Sequence, residues 1–446
     1  MRAEDAEGVG GPDAPTTASG RPFRLHGWSD RAVVAVAFVA LAAGVGQFGL
    51  TATLGGVAHH FGHIGQGSSV ADRAGLSGTE LGLGLAVVRL ASLGGLPVAG
   101  LADRLGRRRV MLFACGLGLA LTAVSATTPG YWWFILVFAL GRPFLSAAAA
   151  IAQVQAAEQT RSAGRASAVA LVAAGYAVGA GLTAVVYGLA GGTIGYRGVL
   201  VLAVVPLVVL PFLARSVTES DRFEIAAASG AVKFPILGAV APPYRGRLIL
   251  VATVAFALAV ITGPSNTFVF AYAQNIEGFP GIALSGMVVA AGLLGLGGLL
   301  AGRWLADRVG RRPTAIGSIL GIGLSGILCY SGSREALVIG YLAGITAAGV
   351  FAPAGGAFVN ELFPTPVRAS VAGWNVAVSV VGAGIGLIAF GAIVDVGNRF
   401  GPAALATFLP AMCLSGVIFF LPETLGHEPE WFWPPDGTSS TGLITE

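Results

Sequence analysis

Long apolar blocks separated by short polar segments organise this chain. A helix that crosses a bilayer needs about 20 consecutive apolar residues. Twelve blocks meet that length: 31–56, 80–101, 109–127, 131–157, 164–190, 196–214, 246–274, 281–305, 313–332, 336–360, 368–396 and 402–422. The stretch 215–245 is polar and carries Lys233, Pro235, Pro242 and Pro243, so it divides the spans six and six. The expected fold is an all-α membrane protein with one six-helix bundle over 29–214, a linker over 215–245 and a second bundle over 246–422. Residues 1–28, rich in Gly, Pro, Ala, Thr and Asp, read as a disordered tail, and 423–446 as a second tail.

One polar turn occurs twice. Gly100-Leu101-Ala102-Asp103-Arg104-Leu105-Gly106-Arg107-Arg108-Arg109 returns as Leu305-Ala306-Asp307-Arg308-Val309-Gly310-Arg311-Arg312, an offset of 204 from Asp103 to Asp307. Glu158 and Arg165 recur as Glu361 and Arg368 at an offset of 203. The two bundles are therefore homologous halves. Asp, Arg and Gly cannot sit in hydrocarbon, so each turn marks a water interface. Its glycine supplies a backbone geometry that other residues resist, and its charges can meet helix ends or each other.

These turns resemble the signature loop of the major facilitator superfamily, Gly-x-Leu-Ala-Asp-Arg-x-Gly-Arg-Arg, and follow the second and eighth predicted helices as that family requires. The segment Glu361-Leu362-Phe363-Pro364-Thr365-Pro366-Val367-Arg368 resembles the loop after helix ten of the sugar porters and organic-acid porters. Pro422-Glu423-Thr424-Leu425-Gly426 is similar to the sequence that closes helix twelve in the same group. The resemblance implies alternating access: two halves rock about a central site, and charged turns latch one side. The implied latch comprises Gly100, Asp103, Arg104, Gly106, Arg107, Arg108, Asp307, Arg308, Gly310, Arg311 and Arg312, with Glu158, Arg165, Glu361 and Arg368. It also implies a monomer, a small-molecule substrate and, in many members, a proton as the coupling ion.

Composition agrees with a bilayer protein. Hydrophobic residues are 55% and charged residues 11%, against roughly 25% charged in ordinary soluble domains. The 68 glycines suit close helix packing, as in the pairs Gly175/Gly179, Gly298/Gly302 and Gly382/Gly386. Of the 26 Lys and Arg, twenty fall in one set of loops, with the N-terminal segment, and only Arg73, Arg197, Arg334 and Arg399 in the opposite set. This bias places both termini in the cytoplasm and the chain in the plasma or inner membrane. The net charge of +4 is no sign of nucleic-acid binding, because the arginines cluster beside spans.

The remaining two arginines, Arg89 and Arg142, lie inside spans. A charge at that depth is costly, so each is a candidate for a cavity-facing role. No carboxylate occurs at similar depth to pair with them, and a substrate carboxylate or phosphate would suit the vacancy. The pair Gly141-Arg142 resembles the Gly-Arg of helix four in the sugar and organic-acid porters. A helix-one Asp often partners that Arg in proton coupling, but the matching stretch here reads Gly46-Gln47-Phe48-Gly49-Leu50-Thr51, with no acid. Gln47 is a candidate substrate contact. Helix seven breaks at Gly263-Pro264-Ser265-Asn266, which nominates Asn266, Tyr272 and Gln274. Trp374 and Asn375 in helix eleven complete the set. His59 and His63 have a metal-pair spacing but no third ligand nearby, and Cys115, Cys329 and Cys413 lie in apolar runs, so no metal, cofactor or disulfide is expected.

These features predict a secondary transporter or facilitator of a small polar metabolite, with an organic anion favoured over a sugar. Proton-coupled drug efflux is the rival within transport, but it normally needs a membrane-embedded acid. A non-transporting receptor on the same scaffold would tolerate drift in the latches, and both are intact. No nucleophile–base pair, phosphate-binding loop or metal set points to an enzyme.

Overall fold

The computed structural model describes residues 27–63, 65, 69–161, 164–219, 240 and 242–426. Residues 1–26 of the expected tail over 1–28, the centre of the linker and the end of the second tail lie outside them. Among the described residues, eleven helical runs are long and apolar enough to cross a bilayer. The longest, Ser167–Ala214, has 48 residues. At 1.5 Å per residue it would reach about 70 Å, more than twice a hydrocarbon core of about 30 Å. It is two spans, because Gly195 takes a φ of +64° and breaks the helix. That left-handed backbone comes at little cost to glycine alone. The expected twelve spans are therefore present.

They are α1 (Arg31–Ala52, continued as Leu54–Phe61), α2 (Gly78–Ala102), α3 (Arg107–Ser125), α4 (Tyr131–Gln159), α5 (165–194) and α6 (196–214) in the first half. The second half holds α7 (Tyr244–Ile276), α8 (Gly281–Arg308), α9 (Arg311–Cys329), α10 (Arg334–Glu361), α11 (Thr365–Gly397) and α12 (Phe400–Phe420). The halves repeat each other: α1 packs on α5 as α7 packs on α11, and α3 on α4 as α9 on α10. They meet through two equivalent pairs, α2 with α11 and α5 with α8. Glycine makes these contacts close. A Cβ on Gly391 would lie 2.0 Å from the Gly78 carbonyl oxygen, and one on Gly188 2.4 Å from that of Gly281.

The two halves are joined at one end only. The largest hydrophobic cluster takes Phe134, Phe138 and Tyr196 from the first half and Phe268, Phe390, Phe400 and Phe408 from the second. It lies toward the face opposite the charged turns, the far face. Toward the turn face the core splits into one cluster per half, around Met111, Cys115 and Leu145 in the first and around Ile319, Phe358 and Phe363 in the second. Hydrogen bonds follow the same division. Among the described residues, those joining the halves all lie on the far face. Asp395, at the end of α11, accepts from the backbone N–H groups of Gly78 at 2.6 Å and Thr79 at 2.8 Å, where α2 begins. The Thr79 hydroxyl also donates to it, and Val70 N–H donates to the Asn398 side chain. Asn275 donates to the carbonyls of Gly55 and Ala74, and Ser285 to that of Ala184.

A carboxylate at a helix N-terminus meets free N–H groups and the positive end of the helix dipole. Asp395→Ala removes these bonds, each worth about 1.5–3 kcal/mol when an acceptor is charged. In a variant carrying spin labels at Arg73→Cys and Val396→Cys, it should add a longer-distance population across the far face. An unchanged distance distribution would show that the aromatic cluster alone holds this face shut.

Candidate functional site

Two connected cavities run along the division between the halves. The deeper chamber, about 220 Å³, is lined by Gln47, Phe48 and Thr51 of α1, Arg89 of α2, Arg142 of α4, Tyr176 of α5 and Asn266 of α7, among others. The wider vestibule, about 460 Å³, opens toward the turn face between α7, α10 and α11, where Ala259, Phe351, Asn375 and Ser379 line it. Arg89 and Thr262 line both.

The site rests on local breaks in helices. In α2 the α-helical pattern gives way to a 3₁₀ turn over Ser92–Gly94, one turn past Arg89. Ser92 there accepts a 3.2 Å hydrogen bond from Nε of Arg142. Gly95 lets α4 approach, since a Cβ on it would lie 3.0 Å from the Pro143 carbonyl oxygen. Arg142 also donates to the Gln47 carbonyl at 2.8 Å, so its guanidinium is fixed among α1, α2 and α4. The Gln47 amide oxygen accepts from the Tyr176 hydroxyl at 3.4 Å. Arg89 makes no hydrogen bond or ion pair among the described residues. It is exposed, and its accessible surface faces both cavities. No Asp or Glu among the described residues lines either cavity. Two guanidinium groups in one chamber, one held by α1 and α2 and one with no side-chain hydrogen bond among the described residues, have the donor chemistry that carboxylates and phosphates accept.

Of the expected substrate residues, the chamber brings together Gln47, Arg89, Arg142 and Asn266, and the vestibule adds Asn375. Three others stand elsewhere. Tyr272 is buried in the far-face aromatic cluster, with ring centroids 4.8 Å from Phe400 and 5.1 Å from Tyr330. Gln274 accepts from the Tyr187 hydroxyl at the contact between the halves. Trp374 packs against the turn-side cluster of the second half. The break expected at Gly263-Pro264 is not there: the α-helix runs through Pro264 to Ala271 and ends in a π turn over Tyr272–Ile276, and Tyr330 donates to the Pro264 carbonyl at 3.0 Å. Asn266 and Thr267 still reach the chamber, while Phe268, Phe270 and Tyr272 further along are carried into the far-face cluster. Tyr176, expected only as part of a packing stretch, is a chamber residue.

The paired turns correspond closely. Arg107 pairs with Glu158, and Arg311 with Glu361 at 3.3 Å and with Asp307 at 2.8 Å. Gly106 and Gly310 have φ of +99° and +118°. Behind each glycine sits a carboxylate. Glu219 accepts from Arg108 N–H at 3.1 and 3.2 Å, while Glu423 accepts from Arg311 N–H at 2.8 Å and Arg312 N–H at 3.0 Å. A Cβ on Gly106 would lie 2.9 Å from Glu219, and one on Gly310 2.7 Å from Glu423, so glycine is needed for space as well as for φ. The arginine that follows caps the end of the last helix of its half: Arg108 donates to Ala214 and Arg312 to Leu421. Glu219 was not among the expected latch residues, yet its offset of 204 from Glu423 carries the signal.

The implied latch differs in one respect from the structure. Every bond of the turns among the described residues runs within its own half, because the vestibule separates the halves at that face. Arg165 makes no ion pair among the described residues, and Arg368 donates to the Phe363 carbonyl. Arg308 lies over the Trp304 ring at 4.9 Å, Arg104 and Gly100 are exposed, and the Asp103 side chain lies outside the described residues. Val217 is buried and Glu219 is bonded, so the first half extends past 214, and Glu423 likewise belongs to the second half rather than to a tail.

Comparisons with known proteins give one family. The profile of the Major Facilitator Superfamily matches residues 36–306 and 293–431. A relative from Cupriavidus pinatubonensis named "probable 4-methylmuconolactone transporter" is 26% identical over 83% of this chain and 88% of its own length. Another, from Haemophilus influenzae and named for metabolite transport, is 25% identical over 75% of this chain and 85% of its own. Among solved structures, the fold resembles the xylose transporter of E. coli in an inward-open conformation, with a TM-score of 0.67 and 16% identity over 90% of this chain and 98% of that one. A nucleoside transporter matches with a TM-score of 0.68 and 16% identity, over 87% and 98%.

Burial pushes the Glu423 carboxyl up, but the N–H donors of Arg312, Leu425, Arg311 and Thr424 outweigh it and hold the group below its ordinary value of 4.5. A lowered folded value stabilises the fold above the unfolded value, and that stability is lost as the pH falls through the folded one. Glu423→Gln should therefore melt below the wild type at pH 7, and the two melting curves should converge in acid below the ordinary value. A gap that persists in acid would mean that shape, not charge, matters there.

Proposed function

Because the chain belongs to the Major Facilitator Superfamily, we propose that this transporter moves a small organic anion through the chamber of Arg89 and Arg142 by alternating access. One observation carries the reading: two guanidinium groups share a cavity that no carboxylate lines among the described residues. In a low-dielectric chamber an anion that meets both gains charge-assisted hydrogen bonds, while a neutral sugar gains weaker ones and a cation is repelled. The relative named for 4-methylmuconolactone and the one named for metabolite transport favour a small metabolite as cargo.

The bias of Lys and Arg puts the turn face in the cytoplasm, with both termini there, in the plasma or inner membrane. On that orientation the vestibule faces the cell interior and the far face is the closed outer gate. Transport then requires the far-face contacts to part while the turns of the two halves come together, which is when a latch between halves forms. The two bundles rock as units, with the segment after Glu219 as the link between them. The protein acts as a monomer and without a cofactor. It does no covalent chemistry on its cargo. The energy comes from an ion or substrate gradient, and a proton, if coupled, does not use a helix-one acid.

A thermal-shift screen of the detergent-purified protein tests the reading, since a ligand at 100 times its Kd stabilises a fold by about 2.7 kcal/mol. Organic anions should raise the melting point, and sugars and hydrophobic cations should not. Arg89→Gln and Arg142→Gln should each weaken anion binding about tenfold or more, the worth of a hydrogen bond to a charged group. A shift by sugars alone would leave the arginines structural, and a shift by hydrophobic cations alone would favour efflux.

A further inference from the structure

The empty site holds more positive charge than the closed chamber can support. In the present conformation the exposed Arg89 reaches water through the vestibule, since it lines vestibule and chamber alike. To expose the far side, the halves must close at the turn face, and closure removes the vestibule and its water. Arg142 would then keep only two neutral acceptors, the Ser92 hydroxyl and the Gln47 carbonyl. Arg89 would have no partner among the described residues. An uncompensated charge enclosed in a low-dielectric site carries a large desolvation penalty, and two carry more.

No described acidic side chain lines either cavity, and Glu277 and Glu335 stand at the far-face ends of α7 and α10. Asp395 and Glu80 are bonded at the far-face start of α2. Glu158, Glu361, Glu219 and Glu423 are bonded at the turns. The α1 stretch beside the chamber offers Gln47 and Thr51 in place of an acid. Compensation must come with the cargo.

Resting on the anion-transport reading, we infer that this protein is an obligatory exchanger, returning across the membrane only when it carries a second anion. A bound carboxylate neutralises the chamber, and the loaded carrier crosses the closed state. The empty carrier does not. Each inward passage of one organic anion is then matched by an outward passage of another. The activity is anion-for-anion antiport, and the gradient that drives uptake is that of the outgoing anion.

Flux into proteoliposomes tests this, with radiolabelled benzoate and succinate as the mono- and dicarboxylate probes. Vesicles hold either the same probe unlabelled or buffer alone, with and without an inward proton gradient. Labelled probe should enter vesicles that hold unlabelled probe at least about 100-fold faster than empty ones, whatever the proton gradient. Arg89→Gln should lower both fluxes and bring their ratio down, because it removes one of the two uncompensated charges. A role for Arg89 in packing alone would slow both fluxes and leave the ratio. Rapid net uptake into empty vesicles, or an unchanged ratio in Arg89→Gln, overturns the exchange inference while the anion reading stands. If neither probe moves in any condition, in protein whose melting point matches that in detergent, both fall.

Discussion

Carboxylates on the N-termini of helices hold this molecule together. A bilayer leaves few places for a charged acid, and the exposed N–H groups at the start of a helix are among the best. Three acids use such places at long range in sequence: Asp395 on α2, Glu219 on α3 and Glu423 on α9. The last two close each half upon itself. The first joins one half to the other. The same distribution explains the chamber, because with the acids bonded at helix ends, none is left at mid-membrane to face Arg89 and Arg142.

The arrangement also separates what is rigid from what moves. Within a half, the paired turns lock helices by backbone bonds, ion pairs and a shared core. Between halves, contact among the described residues runs from the far face to the level of Leu90 and Gly384; glycines bring backbones within van der Waals distance there and an aromatic cluster fills the far-face gap. Toward the turns each half has its own core, so the halves can part there without exposing a split hydrophobic interior. The chamber lies where the shared core ends, at the level of Arg89 and Leu387.

Much of this was legible in the sequence, for physical reasons that differ by residue. The spans were legible because hydrocarbon demands length and apolarity, and the turns because a repeat of charged residues stands out between them. Arg89 and Arg142 were legible as charges at a depth where charge is rare. Tyr272, Gln274 and Trp374 were not, because a polar residue in a span reads the same whether it faces a cavity or a neighbouring helix, and only packing decides. Tyr176 was hidden among glycines that do pack, whereas the break at Gly195 falls in the gap read between the spans 164–190 and 196–214. Glu219 was hidden by its place in a polar stretch that reads as linker, although its counterpart Glu423 lies in a segment that drew notice.

The position of Glu219 bears on how the chain is made. Its carboxylate seats on the backbone of Arg108, across 111 residues, and every group that seals the first half lies at or before it. Domains generally fold as units, the N-terminal one first during synthesis. Once residue 219 has entered the membrane interface, the first half can satisfy its own helix ends with no contribution from the second. Asp395 comes far later, so the bond that unites the halves is among the last to form. The order of synthesis thus lets the first body be finished before the acid of the joint exists.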